Sequence, residues 1–208
     1  MAASIGYLVL VPLAVYLGSY TLFFSTGHSW AAFLELHRRM LQYHLHLKDT
    51  HIYASAWWQW PLILRSVWYY TGADAAGGKV ANIYALGNPF LWWPGFLAVL
   101  WLLVRVFTQK ENSFAGRFAA VGFFSTWIAL AAPSRVMFLY HYAIPSIFMM
   151  IGLVCVLKAI EEKFESRGFL VPYLVFVLAG FIYFYPIAAG IFLTKPETAA
   201  RFWLPSWQ

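Results

Sequence analysis

Long stretches without a charged side chain constrain this sequence more than any other feature does. Five windows lack Asp, Glu, Lys and Arg altogether: Met1–Leu34, Val80–Val104, Phe118–Ser134, Val136–Leu157 and Gly168–Thr194. Together with its apolar flanks, each window provides roughly the 20 residues that cross a bilayer as a helix. Only 11% of the 208 residues are charged, against roughly 25% in soluble domains. The sequence therefore predicts an all-α integral membrane protein with about five transmembrane helices.

The limits of the spans follow from the limits of these windows. We place the five spans at about Ile5–Phe24, Phe90–Phe107, Phe114–Ala132, Val136–Leu157 and Phe169–Leu193. The first lacks the basic start and small-residue cleavage site of a secretory signal, so we expect a retained helix. The expected organisation is a single membrane domain, with a first span at 1–24, an outer loop at 25–88 and a four-helix region at 89–208.

The basic residues predict the orientation in the membrane. Two short links between spans carry six of the 14 Lys and Arg residues: Arg105, Lys110, Arg117, Lys158, Lys163 and Arg167. The positive-inside rule places both links in the cytoplasm. The N-terminus, Asn112 and Glu162 are then cytoplasmic, whereas Gly77 and the C-terminus lie on the periplasmic or lumenal side. The net charge of +6 is not gathered into a basic run, so it indicates contact with anionic lipid and not with nucleic acid.

The predicted outer loop has two contrasting parts. Trp30–Leu47 separates apolar and charged side chains at helical spacing, which predicts an amphipathic helix along the outer membrane interface. His51–Tyr70, HIYASAWWQWPLILRSVWYY, holds four Trp and three Tyr but no carboxylate. Aromatic residues in this density suit a membrane–water boundary. Thr71–Lys79 is predicted to be an exposed turn.

One basic residue is predicted to lie at the start of a helix. Pro133-Ser134-Arg135 would open the fourth span with Ser134 as its N-cap, and a helix N-terminus beside a guanidinium suits a phosphate. Tyr142 would share the face of Arg135, with His141 rotated away. The alternative is that Arg135 only reaches the phosphates of surrounding lipids. Arg65, in the aromatic stretch, could bind phosphate, stack on a ring or act as an interfacial anchor.

The other polar residues offer fewer indications of chemistry. His37, His44, His46 and His51 lack the i, i+4 spacing and the nearby Cys of a zinc site, so no metal is predicted. Few carboxylates lie on the predicted outer side, and no close pair of them is available for acid–base chemistry. Asp49 adjoins the aromatic stretch and is the candidate catalytic base.

Four segments of the chain, in the same order, resemble the C-terminal four-helix region of the protein O-mannosyltransferases. They are WWQWPLILRSVWYY at 57–70, IYALGNPFLWWPG at 83–95, SRVMFLYHYAIPS at 134–146 and WLPSW at 203–207. Members of that family are membrane glycosyltransferases of the GT-C class. The resemblance implies transfer of a sugar, expected to be mannose, from a polyprenyl-phosphate carrier to Ser or Thr hydroxyls of proteins on the outer face. The lipid-linked sugar would be the substrate, and no separate cofactor is implied.

The resemblance also implies roles for particular residues. Arg135 would hold the carrier phosphate, with His141 and Tyr142 beside it, and Arg65 is a further candidate from the residue pattern. The sugar or acceptor cleft would be lined by an aromatic and histidine set: His51, Tyr53, Trp57, Trp58 and Trp60.

This sequence departs from the family in one respect. Family members are considerably longer, and their catalytic acidic residue lies in the first outer loop of an N-terminal half that is not found here. The loop after the first span also lacks their paired Asp-Glu. Two expectations follow. The chain is either the C-terminal half of a split glycosyltransferase, with the catalytic Asp on a second membrane polypeptide, or a non-catalytic structural or lipid-binding subunit of a larger complex.

Overall fold

The computed structural model describes residues 6–47, 49–73, 77–110, 113–164 and 167–208. Its internal contacts divide the chain into two compact units, Met1–Leu47 and Lys48–Gln208. The first unit holds the predicted first span and amphipathic helix, and the second holds everything from the aromatic stretch onwards. Ile5 and Asn112, which were assigned to a span and to a cytoplasmic link, lie outside the described residues.

The predicted first span is a broken helix. It consists of a π-helical turn at Gly6–Leu10 followed by two helices, α1 at Val11–Ser19 and α2 at Thr21–Ser25. Hydroxyls flank the break at Tyr20, where Ser19 Oγ donates to the Tyr16 carbonyl at 2.7 Å and Thr21 Oγ1 to the Gly18 carbonyl at 2.6 Å. Such side-chain bonds compete with the backbone bonds of a helix. The continuous span that was predicted is therefore two short helices.

The predicted amphipathic helix is confirmed as α3, Trp30–His46, which Ser29 caps through its hydroxyl. On its polar side, Glu35 accepts from Arg38 at 2.6 Å and from Arg39 at 2.8 Å. The hydrogen bond from Arg38, followed by that from Arg39, lowers the pKa of Glu35 to about 2. The position of α3 along the membrane interface stays a prediction.

Four helices form the apolar part of the second unit. They are α4, α5, α6 and α7: Pro89–Phe107, Phe114–Ala129, Ala143–Phe164 and Leu170–Ala188. A 3₁₀ turn at Leu139–Tyr142 continues into α6. Three of these segments are long and apolar enough to cross a membrane: Pro89–Phe107, Leu139–Phe164 and Leu170–Ala188. Since α5 has only 16 residues, three of the five predicted spans reach full length within the described residues.

Glycines let the backbones of α4, α5 and α6 approach one another. A Cβ on Gly152 of α6 would lie 2.7 Å from Val99 of α4, and one on Gly122 of α5 would meet the ring of Phe148. Small residues serve the same purpose in other membrane helix pairs. Met149 fills the core between these helices and is fully buried. A larger side chain at either glycine would require the facing side chain, Val99 or Phe148, or its helix to shift.

A three-stranded antiparallel sheet accompanies the helices, and the sequence analysis did not predict it. Its strands are β1, β2 and β3, in that spatial order: Val67–Ala73, Lys79–Ala85 and Phe192–Thr194. Val67 pairs with Ala85, and Val80 pairs with Leu193. The aromatic and β-branched residues that were assigned to an interfacial loop suit a strand equally well. The helical membrane class is thus confirmed, whereas the description as all-α is incomplete and both ends of the predicted turn Thr71–Lys79 belong to strands.

Three predicted spans have different limits in the structure, and in the fourth and fifth the residues beyond the helix belong to other elements. The fourth does not begin at Val136, since Phe138 is extended and the Met137 carbonyl accepts from the Ser55 N–H at 2.9 Å. The fifth ends at Ala188, because Gly190 has a φ of +67° and the following residues join the sheet. The third span ends three residues earlier than predicted, at 129 instead of 132.

A short helix connects the sheet to the C-terminal tail. This helix, α8, spans Lys195–Ala199, and Thr194 and Glu197 form a capping box at its start. One carboxylate oxygen of Glu197 accepts from the Thr194 N–H and from the Thr194 hydroxyl, both at 2.8 Å. These two bonds, the backbone bond first, hold the pKa of Glu197 below its ordinary value.

The tail is fixed to the aromatic stretch by a buried tryptophan. Trp207 is fully buried, its indole N–H donates to the Ile63 carbonyl, and its own carbonyl accepts from Ser66 Oγ at 2.7 Å. Ile63 has a φ of 54°, which is a strained value for a β-branched residue. The contact with Trp207 and complete burial hold this backbone in place.

Candidate functional site

One cavity brings together candidates that lie far apart in the sequence. It has a volume of about 420 Å³ and is lined by residues from 49–59 and from 130–137. Asp49, Trp57 and Arg135 all line it, with Gln59 and Pro133. The cavity therefore combines a cation, a carboxylate and an aromatic ring on one surface.

Arg135 does not lie at the start of a helix, so the predicted N-cap role of Ser134 is wrong. Helical structure begins only at Leu139, and the segment before it is an irregular loop. The guanidinium Nη2 instead lies 3.4 Å from Nε2 of His141. Nδ1 of the same ring accepts from the Phe138 N–H at 3.1 Å and lies 3.0 Å from the Phe138 carbonyl. The imidazole is therefore held between the Phe138 backbone and the guanidinium.

A group of stacked rings lies behind Arg135. The His141 ring stacks on Tyr140 at 4.6 Å between centroids and on Trp60 at 6.1 Å. Trp60 is only 1% exposed, and its indole N–H donates to Ser55 Oγ at 2.9 Å. Trp60 therefore supports the wall of the site from the core, in contrast to its predicted place on the surface of the cleft.

Tyr142 is also turned away from the predicted phosphate site. Its side chain is fully buried, and its hydroxyl donates to the Met149 sulfur at 3.2 Å. A spacing of seven residues places Tyr142 on the face of Arg135 only if both lie in one α-helix. Because a loop and a 3₁₀ turn separate them, His141 meets Arg135 and Tyr142 joins the core.

Trp57 forms an aromatic part of the cavity wall. Its carbonyl accepts from the Trp127 indole at 2.9 Å, and the two rings are 4.8 Å apart. Gln59 closes the adjacent turn, because its side-chain oxygen accepts from the Ala56 N–H at 2.7 Å. The sequence analysis missed Trp127 and Gln59, although Gln59 lies within the WWQWP motif. Trp58 is 50% exposed and is not among the lining residues.

Arg65 is not among the lining residues of the cavity. Its Nη2 donates to the Ile52 carbonyl, and its Nε is buried without a hydrogen-bond partner among the described residues. His51 accepts from the Tyr53 N–H at 3.1 Å and lies edge-on to Phe138 at 5.1 Å. The structure thus shows Arg65 as an anchor of the loop that carries His51 and Tyr53, and its predicted contact with phosphate stays a prediction.

Asp49 is the acidic residue among the described lining residues, and its side chain is exposed. Within the described residues, no three His, Cys, Asp or Glu side chains are grouped closely enough to hold a metal ion. The cavity thus offers a cation at Arg135, an aromatic side chain at Trp57 and a solvent-accessible carboxylate at Asp49.

Comparison with protein families and curated proteins gives a consistent result. A family model described as the C-terminal four TMM region of protein-O-mannosyltransferase matches residues 29–207. The polyprenol-phosphate-mannose–protein mannosyltransferase of Corynebacterium glutamicum is 23% identical over 99% of this chain, and that of Mycobacterium tuberculosis 26% over 98%. This chain covers 47% and 46% of those proteins. It therefore spans about half the length of the bacterial relatives.

A eukaryotic relative and a solved structure point to the same family. Dolichyl-phosphate-mannose–protein mannosyltransferase 1 of Saccharomyces cerevisiae is 28% identical over 84% of this chain and 23% of its own length. The structure of the S. cerevisiae protein O-mannosyltransferase Pmt1–Pmt2 complex, bound to the sugar donor, matches with a TM-score of 0.69 and 25% identity. The match covers 87% of this chain and 27% of that one.

Proposed function

Because this chain belongs to the protein O-mannosyltransferase family, in its C-terminal four-transmembrane region, we propose that it binds a polyprenyl-phosphate sugar for the O-glycosylation of protein Ser and Thr residues. Mannose is the proposed sugar, since the names of the relatives specify it. The observation that carries the proposal is the single cavity lined by Arg135, Trp57 and Asp49.

Arg135 is proposed to hold the carrier phosphate. A guanidinium is planar and can bind phosphate through two parallel hydrogen bonds. When the bond between the sugar and the phosphate breaks, negative charge grows on the phosphate, and a fixed cation stabilises it. The 3.4 Å contact with His141 supports this role because it orients the guanidinium plane. His141 is therefore a positioning residue, and the buried Tyr142 is not proposed as a ligand.

Trp57 is proposed to pack against the sugar. The faces of sugar rings are apolar, and they pack well on an aromatic face. The hydrogen bond from Trp127 to the Trp57 carbonyl supports the proposal because it fixes the backbone that carries this ring. Trp58 and His51 are exposed and are proposed to contact the acceptor polypeptide.

The catalytic base is proposed to come from a second membrane polypeptide. Transfer to a hydroxyl needs a base beside that hydroxyl. Asp49 is the carboxylate among the described lining residues of the cavity, and its side chain is exposed to solvent. We therefore propose that another chain provides the base. The solved relative is a complex of two named proteins, which supports assembly with another chain. A non-catalytic, lipid-binding subunit is the second candidate. The exposure of Asp49 favours this second candidate, because water competes for an exposed carboxylate.

The cavity is proposed to face the periplasm or lumen. Arg135 precedes the 26-residue segment Leu139–Phe164, and Lys158 and Lys163 lie near its other end, so roughly 39 Å of helix separates the two charged ends. The positive-inside rule assigns the lysine end to the cytoplasm. In a Cys155→Ser background, an impermeant thiol reagent should label a cysteine placed at Gly77 from outside and not one placed at Glu162. Labelling of position 162 from outside would overturn this orientation.

Binding of the carrier tests the role of Arg135. Arg135→Ala should weaken the affinity for polyprenyl phosphate by about tenfold or more, since a lost charge-assisted contact costs on the order of 1.5–3 kcal/mol. Arg135→Lys should also bind weakly, because an ammonium lacks the forked donors. Lys195→Gln removes an exposed charge outside the cavity and should leave the Kd unchanged. Unchanged binding in both Arg135 variants would show that Arg135 does not bind the carrier and only contacts the phosphates of surrounding lipids.

Transfer activity separates the two candidate functions. The purified chain, given polyprenyl-phosphate mannose and a Ser/Thr peptide, should form at most traces of glycopeptide, since a missing base costs about 10²–10⁴-fold in rate. Recovery of transfer on addition of a second membrane chain supports the split enzyme. Retained binding without recovery supports the non-catalytic subunit. Robust transfer by this chain alone contradicts both, and loss of that transfer in Asp49→Asn would then identify Asp49 as the base.

A further inference from the structure

An apolar groove runs between α4, α6 and the start of α7. Its volume is about 540 Å³, and its lining includes Leu97, Trp101, Leu153, Phe164 and Tyr173. Along α6 it extends from Leu153 to Phe164, which is roughly 16 Å at 1.5 Å per residue. The hydrocarbon core of a bilayer is about 30 Å thick. The groove therefore has the depth of one leaflet.

A second cavity adjoins the groove at the end where α4 and α6 finish. It also has a volume of about 540 Å³, and it shares Trp101, Ala159 and Lys163 with the groove. Among the residues that the structure describes, its charged lining residues are three basic ones and one acidic one: Arg105, Lys158, Lys163 and Glu162. These described residues give the adjoining cavity a net positive charge, whereas the groove is mainly apolar.

The contacts around the junction keep positive charge at the mouth of the groove. Lys158 Nζ lies 3.8 Å from Glu162, so this acidic residue is offset by one lysine. The Arg105 guanidinium lies over the Trp101 ring at 4.7 Å, which keeps it beside a residue of the groove wall. Lys163 lines both spaces. A head group at Lys163 would thus be directly connected to an acyl chain in the groove.

We propose that the groove and the adjoining cavity together bind one anionic glycerophospholipid. An acyl chain would occupy the groove, and the phosphate would lie near Lys163 and Arg105. Basic pockets between transmembrane helices on the cytoplasmic side are typical sites for anionic head groups. This site is separate from the Arg135 cavity, because the two lie at opposite ends of Leu139–Phe164. A polyprenyl carrier fits less well, because its chain is much longer than one leaflet is deep.

Lipid retention tests the proposal on the full chain. The protein is purified in detergent with equal amounts of phosphatidylglycerol and phosphatidylcholine, and retained lipid is counted by native mass spectrometry. The wild type should retain phosphatidylglycerol in preference. Lys163→Gln should lower that retention by about fivefold, which corresponds to about 1 kcal/mol for one basic residue near an anionic surface. Ala159→Phe, at an exposed position that lines both spaces, should block the junction and abolish the preference.

Two matched controls distinguish a site from a general surface effect. Lys110→Gln removes an exposed lysine from the same end of the helices, outside both spaces. Val154→Phe adds the same ring to an exposed position of α6 outside them. Both should retain phosphatidylglycerol as the wild type does, and all variants should elute as monodisperse, helical protein. Equal retention of both lipids, an equal loss in Lys110→Gln, or displacement of phosphatidylglycerol by added polyprenyl phosphate would overturn the proposal.

Discussion

The loops around the Arg135 cavity and the bundle of α4, α5 and α6 are held together by different interactions. In the loops, side chains donate to distant backbone carbonyls, as Trp127 does to Trp57 and Trp93 does to Leu62. In the bundle, the helices meet at glycines such as Gly152. Irregular backbone needs outside partners for its polar groups, particularly near a membrane. Helices satisfy their own backbone, so their association depends on fit.

This difference predicts which substitutions harm each region. Loss of a donor or of a buried anchor should disturb the loops, and with them the affinity for a carrier phosphate. Added volume should disturb the bundle and leave that affinity largely unchanged. The first three experiments below therefore measure unfolding in detergent together with binding of the proposed carrier, and the fourth measures unfolding alone.

The largest effect is expected at the anchor of the C-terminal tail. Trp207→Ala should lower the free energy of unfolding by about 3–5 kcal/mol, the usual cost of removing a buried aromatic side chain, and should weaken phosphate binding as well. Trp203→Ala removes a ring that is 41% exposed and should cost clearly less. Equal losses in the two variants would show that burial of Trp207 does not fix the loops.

The bundle should respond to added volume. Gly152→Val should destabilise the protein by about 1–3 kcal/mol, as overpacking of a core does, because Val99 already occupies the space for a side chain. The Kd for polyprenyl phosphate should hardly change. Gly18→Ala is the matched control, since a Cβ there meets nothing within 4 Å. A large change in Kd for Gly152→Val would contradict the separation of the two regions.

A single hydrogen bond in the loops should have a smaller effect. Trp127→Phe keeps an aromatic ring but removes the donor to the Trp57 carbonyl, so it should cost about 0.5–1.5 kcal/mol. The affinity for the lipid-linked sugar should fall, because the backbone of Trp57 loses a fixed partner. Trp30→Phe, at an exposed position in the other unit, should change neither quantity. Unchanged affinity in Trp127→Phe would argue against Trp57 as the sugar contact.

The smallest effect is expected from the carboxylate that caps α8. Its folded pKa lies below the ordinary value of 4.5 because Thr194 donates to it. A carboxyl group whose pKa is depressed in the folded state stabilises the fold at pH values above its unfolded pKa. That stability is lost as the pH falls through the folded pKa. Thermal unfolding from pH 6 downwards should therefore show a steeper loss below pH 4.5 in the wild type than in Glu197→Gln. Parallel curves would mean that the capping box is not formed.

The sequence analysis was accurate where local pattern decides the outcome. The apolar windows predicted α4 with its C-terminal limit unchanged, and the helical spacing of apolar and charged residues predicted α3 to within one residue. It was wrong at Arg135, where a predicted helix start is a loop. It also missed β1, since an aromatic run near a membrane is compatible with both a loop and a strand. Both regions depend on partners that are distant in the chain.

By itself, the sequence determined that this protein is a helical membrane protein of the O-mannosyltransferase family, and it named Asp49, Trp57 and Arg135 among a longer set of candidate site residues. Lack of charge over a helix length is a local property that needs no tertiary contact to be recognised. Only the tertiary structure decided that these three residues line one cavity, and that His141, not Tyr142, meets Arg135. The physical reason is that the backbone around the cavity is irregular, so hydrogen bonds from distant segments set the direction of each side chain.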